Sequence, residues 1–143
     1  LEAIRGFKEI EKHYECTAWE FYWVVSKTYE ALDDLQNSYE YIKIAHKKNP
    51  THVEVLREIA FLALMLEKYD EAAYYAQKNV EFNDDDPTVS ANAAISMLFA
   101  GKLEQASFLA EKTLKKVPDD EPSLIVQKRI RQYKEEGREL PKH

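Results

Sequence analysis

The chain has 143 residues, 45% hydrophobic and 32% charged, which suits a single domain with its own core and a wet surface. Three glycines and five prolines argue against a loop-rich or β-rich chain, and a net charge of −6 argues against a nucleic-acid or anionic-membrane partner. No apolar run approaches the roughly 20 residues of a membrane span and no secretory h-region is visible, so no membrane span and a cytoplasmic setting are expected.

Residues 2–14 read as an amphipathic helix, with Leu1, Ile4, Phe7, Ile10 and Tyr14 on one approximate face. It fits either the second helix of an earlier, truncated unit or a native N-terminal cap. The chain opens on Leu1 instead of Met, as an excised fragment would. The lone cysteine, Cys16, excludes an internal disulfide and fits a reducing compartment. His13 and Cys16 have half the spacing of a metal site, but no second pair completes it, so no metal is expected.

Thr17-x-x-Glu20 and Thr51-x-x-Glu54 match the capping box, in which hydroxyl and carboxylate satisfy free N–H groups at a helix start. They predict helices over 19–32 and 53–66, followed by 35–48 and 69–82. The run Asn83-Asp84-Asp85-Asp86 lacks the Gly and terminal Glu of a calcium loop and reads as a turn and helix cap. Asp86-Pro87 and Glu121-Pro122 place proline in a first turn, where its missing N–H costs little. They predict helices over 87–100 and 122–137, with 103–116 between them. The fold class is therefore all-α.

A single fixed period runs through these elements. Ser38, Ala72 and Ala106 share a phase, as do Ser26, Ala60 and Ala94. Leu64 pairs with Leu98, Ala76 with Ala110, and Asp85-Asp86 with Asp119-Asp120. Small residues recurring in phase are what close helix crossings need, because a larger side chain would push the axes apart.

This pattern resembles the tetratricopeptide repeat, a helix–turn–helix unit. Residues 19–52 supply Tyr22, Val25-Ser26, Tyr29, Ser38, Ile42, Ala45 and Pro50. Residues 53–86 supply Leu56, Ile59-Ala60, Ala63, Ala72 and Ala76, with Asn79 and Asp84 departing from the pattern. Residues 87–120 supply Ser90, Ala93-Ala94, Met97, Ala106, Ala110, Thr113 and Pro118. The Trp and Gly usual in the first helix are missing from their slots.

The resemblance implies a right-handed α-solenoid of antiparallel helix pairs in one domain. Its parts are an N-terminal helix (1–18), three repeats (19–52, 53–86 and 87–120), a capping helix (121–138) and a tail (139–143). The final helix carries Leu124, Ile125, Val126, Ile130 and Tyr133, while Gln127 and Lys128 fill the slots a following helix would need apolar and small. It reads as the cap that closes a solenoid, with one apolar and one wet face. The cations at 128–142 are interrupted by acids and read as a solvated face.

No G-x-S-x-G, H-E-x-x-H or G-x-x-x-x-G-K motif is present. His46 and His52 flank a turn without an obvious orienting carboxylate. No enzyme and no cofactor are expected.

The resemblance also implies that the first helix of each unit lines a concave face, through its second, fifth, ninth, twelfth and thirteenth residues. These are Glu20, Trp23, Lys27, Glu30 and Ala31, then Glu54, Arg57, Phe61, Leu64 and Met65, then Thr88, Ala91, Ile95, Leu98 and Phe99. The expected peptide-binding residues are Trp23, Lys27, Arg57, Phe61, Leu64, Met65, Ala91, Ile95, Leu98 and Phe99. Of these, Phe61, Leu64, Met65, Ile95, Leu98 and Phe99 would form one apolar patch of the kind that marks partner sites.

The carboxylate-clamp branch of this family grips the acidic C-terminal tail of a heat-shock chaperone. Its clamp positions here fall on Trp23, Lys27, Glu58, Thr88 and Asn92, and Glu58 would repel a carboxylate. The expected function is thus a non-catalytic module that binds a partner protein or peptide in its groove. The alternatives are a self-assembling, homo-oligomeric scaffold, a regulatory or docking domain of a larger enzyme, and a chaperone like those that guard bacterial secreted translocators.

Overall fold

The computed structural model describes residues 5–9 and 18–136. Among them lie α1 (Trp19–Ala31), α2 (Leu35–Lys48), α3 (Val53–Met65), α4 (Tyr69–Phe82), α5 (Pro87–Phe99), α6 (Leu103–Lys116) and α7 (Glu121–Glu136). Residues 5–9 are helical as well, and no strand occurs among the described residues. The rest of the expected N-terminal helix, the His13–Cys16 pair, Thr17 and the tail lie outside the described residues.

Each helix packs against its neighbour in sequence, and α5 also packs against α7, so consecutive pairs stack as a solenoid. The buried residues gather in clusters along the array, and Tyr75 packs against both of the larger ones. Tyr39, Ile42, Ile59 and Leu62 are buried between α1–α2 and α3–α4, and burial of an aliphatic side chain such as Ile42 contributes about 1.5–3 kcal/mol of transfer free energy. Ala93, Ala94, Ala106, Leu109, Val126 and Ile130 close the second half. At the other end Phe7 stands edge-on to Phe21, 5.8 Å between centroids.

The in-phase small residues occupy the crossings. Ala72 and Ala106 are completely buried, as is Ser38. Asn79, which departs from the repeat pattern, is also buried. Its amide donates to the Val53 carbonyl at 3.2 Å and its carbonyl accepts from Asn83 at 2.7 Å. A polar side chain is tolerated there because both of its ends are satisfied. Thr113 answers the same need by sharing a 2.7 Å hydrogen bond with Ser90.

The turns inside each unit use one backbone solution. Asp33, Glu67 and Gly101 all have left-handed φ, at 60°, 61° and 77°. Only the third is a glycine, so the first two units hold an L side chain in a conformation that disfavours it.

Two helix starts differ from the sequence reading. The N-cap of α3 is His52 and not Thr51: its Nδ1 accepts from the Val55 N–H at 3.4 Å. The N-cap of α1 is Ala18, which has no side chain to cap with. Asp86 behaves as expected, accepting from the Thr88 N–H at 2.9 Å ahead of Pro87, and Asp120, one repeat period on, likewise accepts from the Ser123 N–H at 3.0 Å. The Asn83–Asp86 run is a turn tied to α6, since Lys112 pairs with Asp84 and Lys116 donates to the Asp85 carbonyl at 2.7 Å. Hydrogen bonding to Lys112, and then its charge, holds the Asp84 carboxyl below the ordinary range.

Helix α7 closes the array against α5 and α6, but through fewer of its apolar residues than expected. Ser123, Val126 and Ile130 are buried, whereas Leu124, Ile125 and Tyr133 are exposed. The stripe that meets the solenoid is narrower than the apolar content of the helix suggests.

Candidate functional site

Helices α1, α3 and α5 follow one another at one repeat period, and a groove of about 390 Å³ opens across them. Glu30 of α1 stands at one side, Arg57, Glu58, Ala60, Phe61 and Leu64 of α3 form the middle, and Asn92, Ile95 and Ser96 of α5 complete the lining. Phe61 is 47% exposed although its helix is otherwise packed on both sides. A ring left in water on a packed helix has apolar surface that a ligand could cover.

The charges at the α1–α3 end are organised. Lys27 crosses from α1 to α3 and pairs with Glu58, with Glu30 4.0 Å away. Arg57 pairs with Glu54 one turn earlier on its own helix. Both cations expected at the site are thus engaged by carboxylates, and Glu58 sits in the groove wall.

The expected site residues separate into three groups. Arg57, Phe61, Leu64 and Ile95 are brought together in the groove, with Lys27 on its border through Glu58. Ala91 and Leu98 are buried, because α5 is flanked on both sides by packed helices, so the inward row of α5 reduces at the surface to Thr88, Ile95 and Phe99. Trp23, Met65 and Phe99 lie away from the groove lining. Trp23 stacks on Trp19 at 5.4 Å and borders His52 at 5.9 Å, with its indole N–H buried and unbonded. Met65 is 52% exposed near the end of α3. Phe99 stacks on Tyr69 at 5.6 Å, at the mouth of a second depression beside the α3–α4 turn. The single apolar patch expected from the sequence is therefore divided.

Glu30, Glu58, Asn92 and Ser96 line the groove without being among the residues first expected to bind. Glu58 and Asn92 share a phase of the repeat, so the register carried the signal, one position past the inward row.

No family model matches the chain, and no curated protein matches it in sequence. Solved structures do match in shape. A crystal structure of MamA shares 18% identity over 94% of this chain and 77% of its own, with a TM-score of 0.78. YrrB, described as a TPR protein with an unusual peptide-binding site, shares 16% identity over 94% of this chain and 69% of its own, at 0.81. The second TPR domain of human RPAP3, solved with the HSP70 peptide SGPTIEEVD, shares 15% identity over 80% of this chain and 98% of its own, at 0.69. The chain has the tetratricopeptide-repeat fold, an all-α solenoid.

Proposed function

We propose that the chain is a non-catalytic protein-interaction module that takes a segment of a partner protein into the groove across α1, α3 and α5. The observation that carries this reading is the half-exposed Phe61, flanked by Leu64 and Ile95, in a concave face built from packed helices. Peptides are held in neighbours of this fold, in RPAP3 with its HSP70 peptide and in YrrB with its peptide-binding site. The lining favours apolar anchors over a chaperone's acidic tail. Glu58 stands in the wall, and Lys27 and Arg57 are already paired with Glu58 and Glu54. An incoming carboxylate would have to displace those partners, and a carboxylate already bound to a cation cancels most of its attraction.

The test is affinity capture of a partner, followed by calorimetry of that partner against the native chain and against Phe61→Ala. Affinity should fall by roughly 2 kcal/mol, as for a truncated aromatic anchor. Because the ring is exposed, circular dichroism should be unchanged. Full-strength binding by a folded Phe61→Ala would place the site elsewhere.

Self-assembly is supported by a different face. Tyr74 and Phe108, which share a phase of the repeat on α4 and α6, are 56% and 66% exposed. Light scattering over a concentration series tests that reading, and a monomer throughout excludes it. Among the described residues no helix is long and apolar enough to cross a membrane.

A further inference from the structure

We infer that Glu30 makes the groove selective for a partner segment that carries an arginine close to its apolar anchor. This rests on the groove being the partner site and names the chemistry of what it takes. Carboxylates outnumber cations at the α1–α3 side. Lys27 pairs with Glu58 and Arg57 with Glu54, which leaves Glu30 a 4.0 Å approach to a lysine already engaged. Among the described residues no other cation pairs with Glu30. Arg129 shares the row of Lys27 but stands on α7 and does not line the groove. One negative charge is therefore in excess, and it belongs to Glu30.

The register sets this carboxylate beside apolar surface. Glu30 has the phase of Leu64 and Leu98, and it lines the groove together with Leu64 and Phe61. Its side chain is 30% exposed, so the charge is partly withdrawn from water and is screened less than one on an open surface. A ligand cation completes the balance, whereas a ligand carboxylate adds repulsion. Arginine suits the place better than lysine. Its guanidinium is planar and weakly hydrated, grips a carboxylate through two parallel bonds and stacks on an aromatic ring, and Phe61 supplies such a ring half in water. A groove of about 390 Å³ is roughly 7 Å in each direction, about the span of two residues of extended chain. The arginine therefore lies about two or three residues from the side chain that covers Phe61.

The test selects a displayed library of random short segments on the full chain, and repeats the selection on Glu30→Gln and on Phe61→Ala. The native chain should enrich segments with a large apolar residue and an arginine nearby. Selection on Glu30→Gln should keep the apolar residue and lose the arginine. The most enriched peptide, followed by fluorescence anisotropy, should bind Glu30→Gln about fivefold more weakly than the native chain. Glu20→Gln removes an equal charge from the same helix outside the groove lining and should leave that binding unchanged. Thermal melts confirm that the variants fold. Enriched segments without arginine overturn the inference, as does a loss of affinity in Glu20→Gln equal to that in Glu30→Gln. In either case the groove reading stands if Phe61→Ala loses the apolar residue, and falls with the inference if Phe61→Ala returns the same segments. No enrichment on the native chain overturns both.

Discussion

Ser26 and Ser38 hold each other across the α1–α2 crossing by reciprocal hydrogen bonds, each hydroxyl donating to the other residue's backbone carbonyl at 2.8 Å. The second and third units carry Ala60 with Ala72 and Ala94 with Ala106 at these positions. Each hydroxyl has one proton, and both protons go to carbonyls, so the 2.9 Å approach of the two oxygens is a contact between acceptors. Ser26→Ala and Ser38→Ala should each cost about 1 kcal/mol, the net worth of one buried hydrogen bond. Neither bond uses the other residue's side chain, so the double variant should be additive within about 0.5 kcal/mol. Urea midpoints measure this, and a larger coupling would mean that the hydroxyls bond to each other.

Gly101 should be the least replaceable turn residue. Its φ is 77°, and a Cβ would meet nothing within 4 Å, so any penalty is conformational and not steric. Gly101→Ala should cost about 1–2 kcal/mol. Glu67→Gly, at a φ of 61°, should be neutral or slightly stabilising, since relief of the left-handed backbone opposes the added freedom of the unfolded chain. A Gly101→Ala variant as stable as the parent would contradict this.

Ala72 and Ala106 have no exposed surface, so Ala72→Leu and Ala106→Leu overfill a crossing. Each should destabilise by roughly 1–3 kcal/mol. Lys78→Ala removes one surface ion pair to Glu81 and should change stability by less than about 0.5 kcal/mol. A lysine variant weaker than the leucine variants would refute the repeat register.

The register is the part of the fold that a sequence states most clearly, because packing repeats with it. Helix ends fell within about a residue or two of their expected positions, since the same small residues and turns recur in three copies. The caps were harder to read. Thr51 offers the usual hydroxyl, but Ala18, His52, Asp86 and Asp120 stand one repeat period apart, and the slot is defined by where the helix starts rather than by residue type. The groove was legible as a row and not as a surface. Periodicity places Ala91, Leu98 and Phe61 alike on the inner side, and only the packing of flanking helices decides that Phe61 is half-exposed while the other two are buried.

Acid should loosen the α2–α4 contact through His46. Burial lowers its affinity for a proton below the ordinary value of 6.5, its Nδ1 is buried without a partner, and its ring stands edge-on to Tyr75 at 5.3 Å. The unfolded chain therefore takes up the proton first as pH falls. The contribution of neutral His46 is complete above about 6.5 and is lost as pH drops through that value toward the lowered folded one. Melting temperatures between neutral and mildly acid pH should fall in the native chain and fall less in His46→Gln. An identical fall in both would remove His46 from the explanation.

The groove can be tested against the opposite face by replacing Phe61 or Phe108 with a photoreactive phenylalanine and irradiating the full chain with its captured partner. Both rings are exposed, at 47% and 66%, so either probe fits without disturbing the core. A partner held in the groove should cross-link strongly from position 61 and weakly or not at all from position 108. Cross-linking from position 108 with none from position 61 would contradict the concave site and move recognition to the convex face.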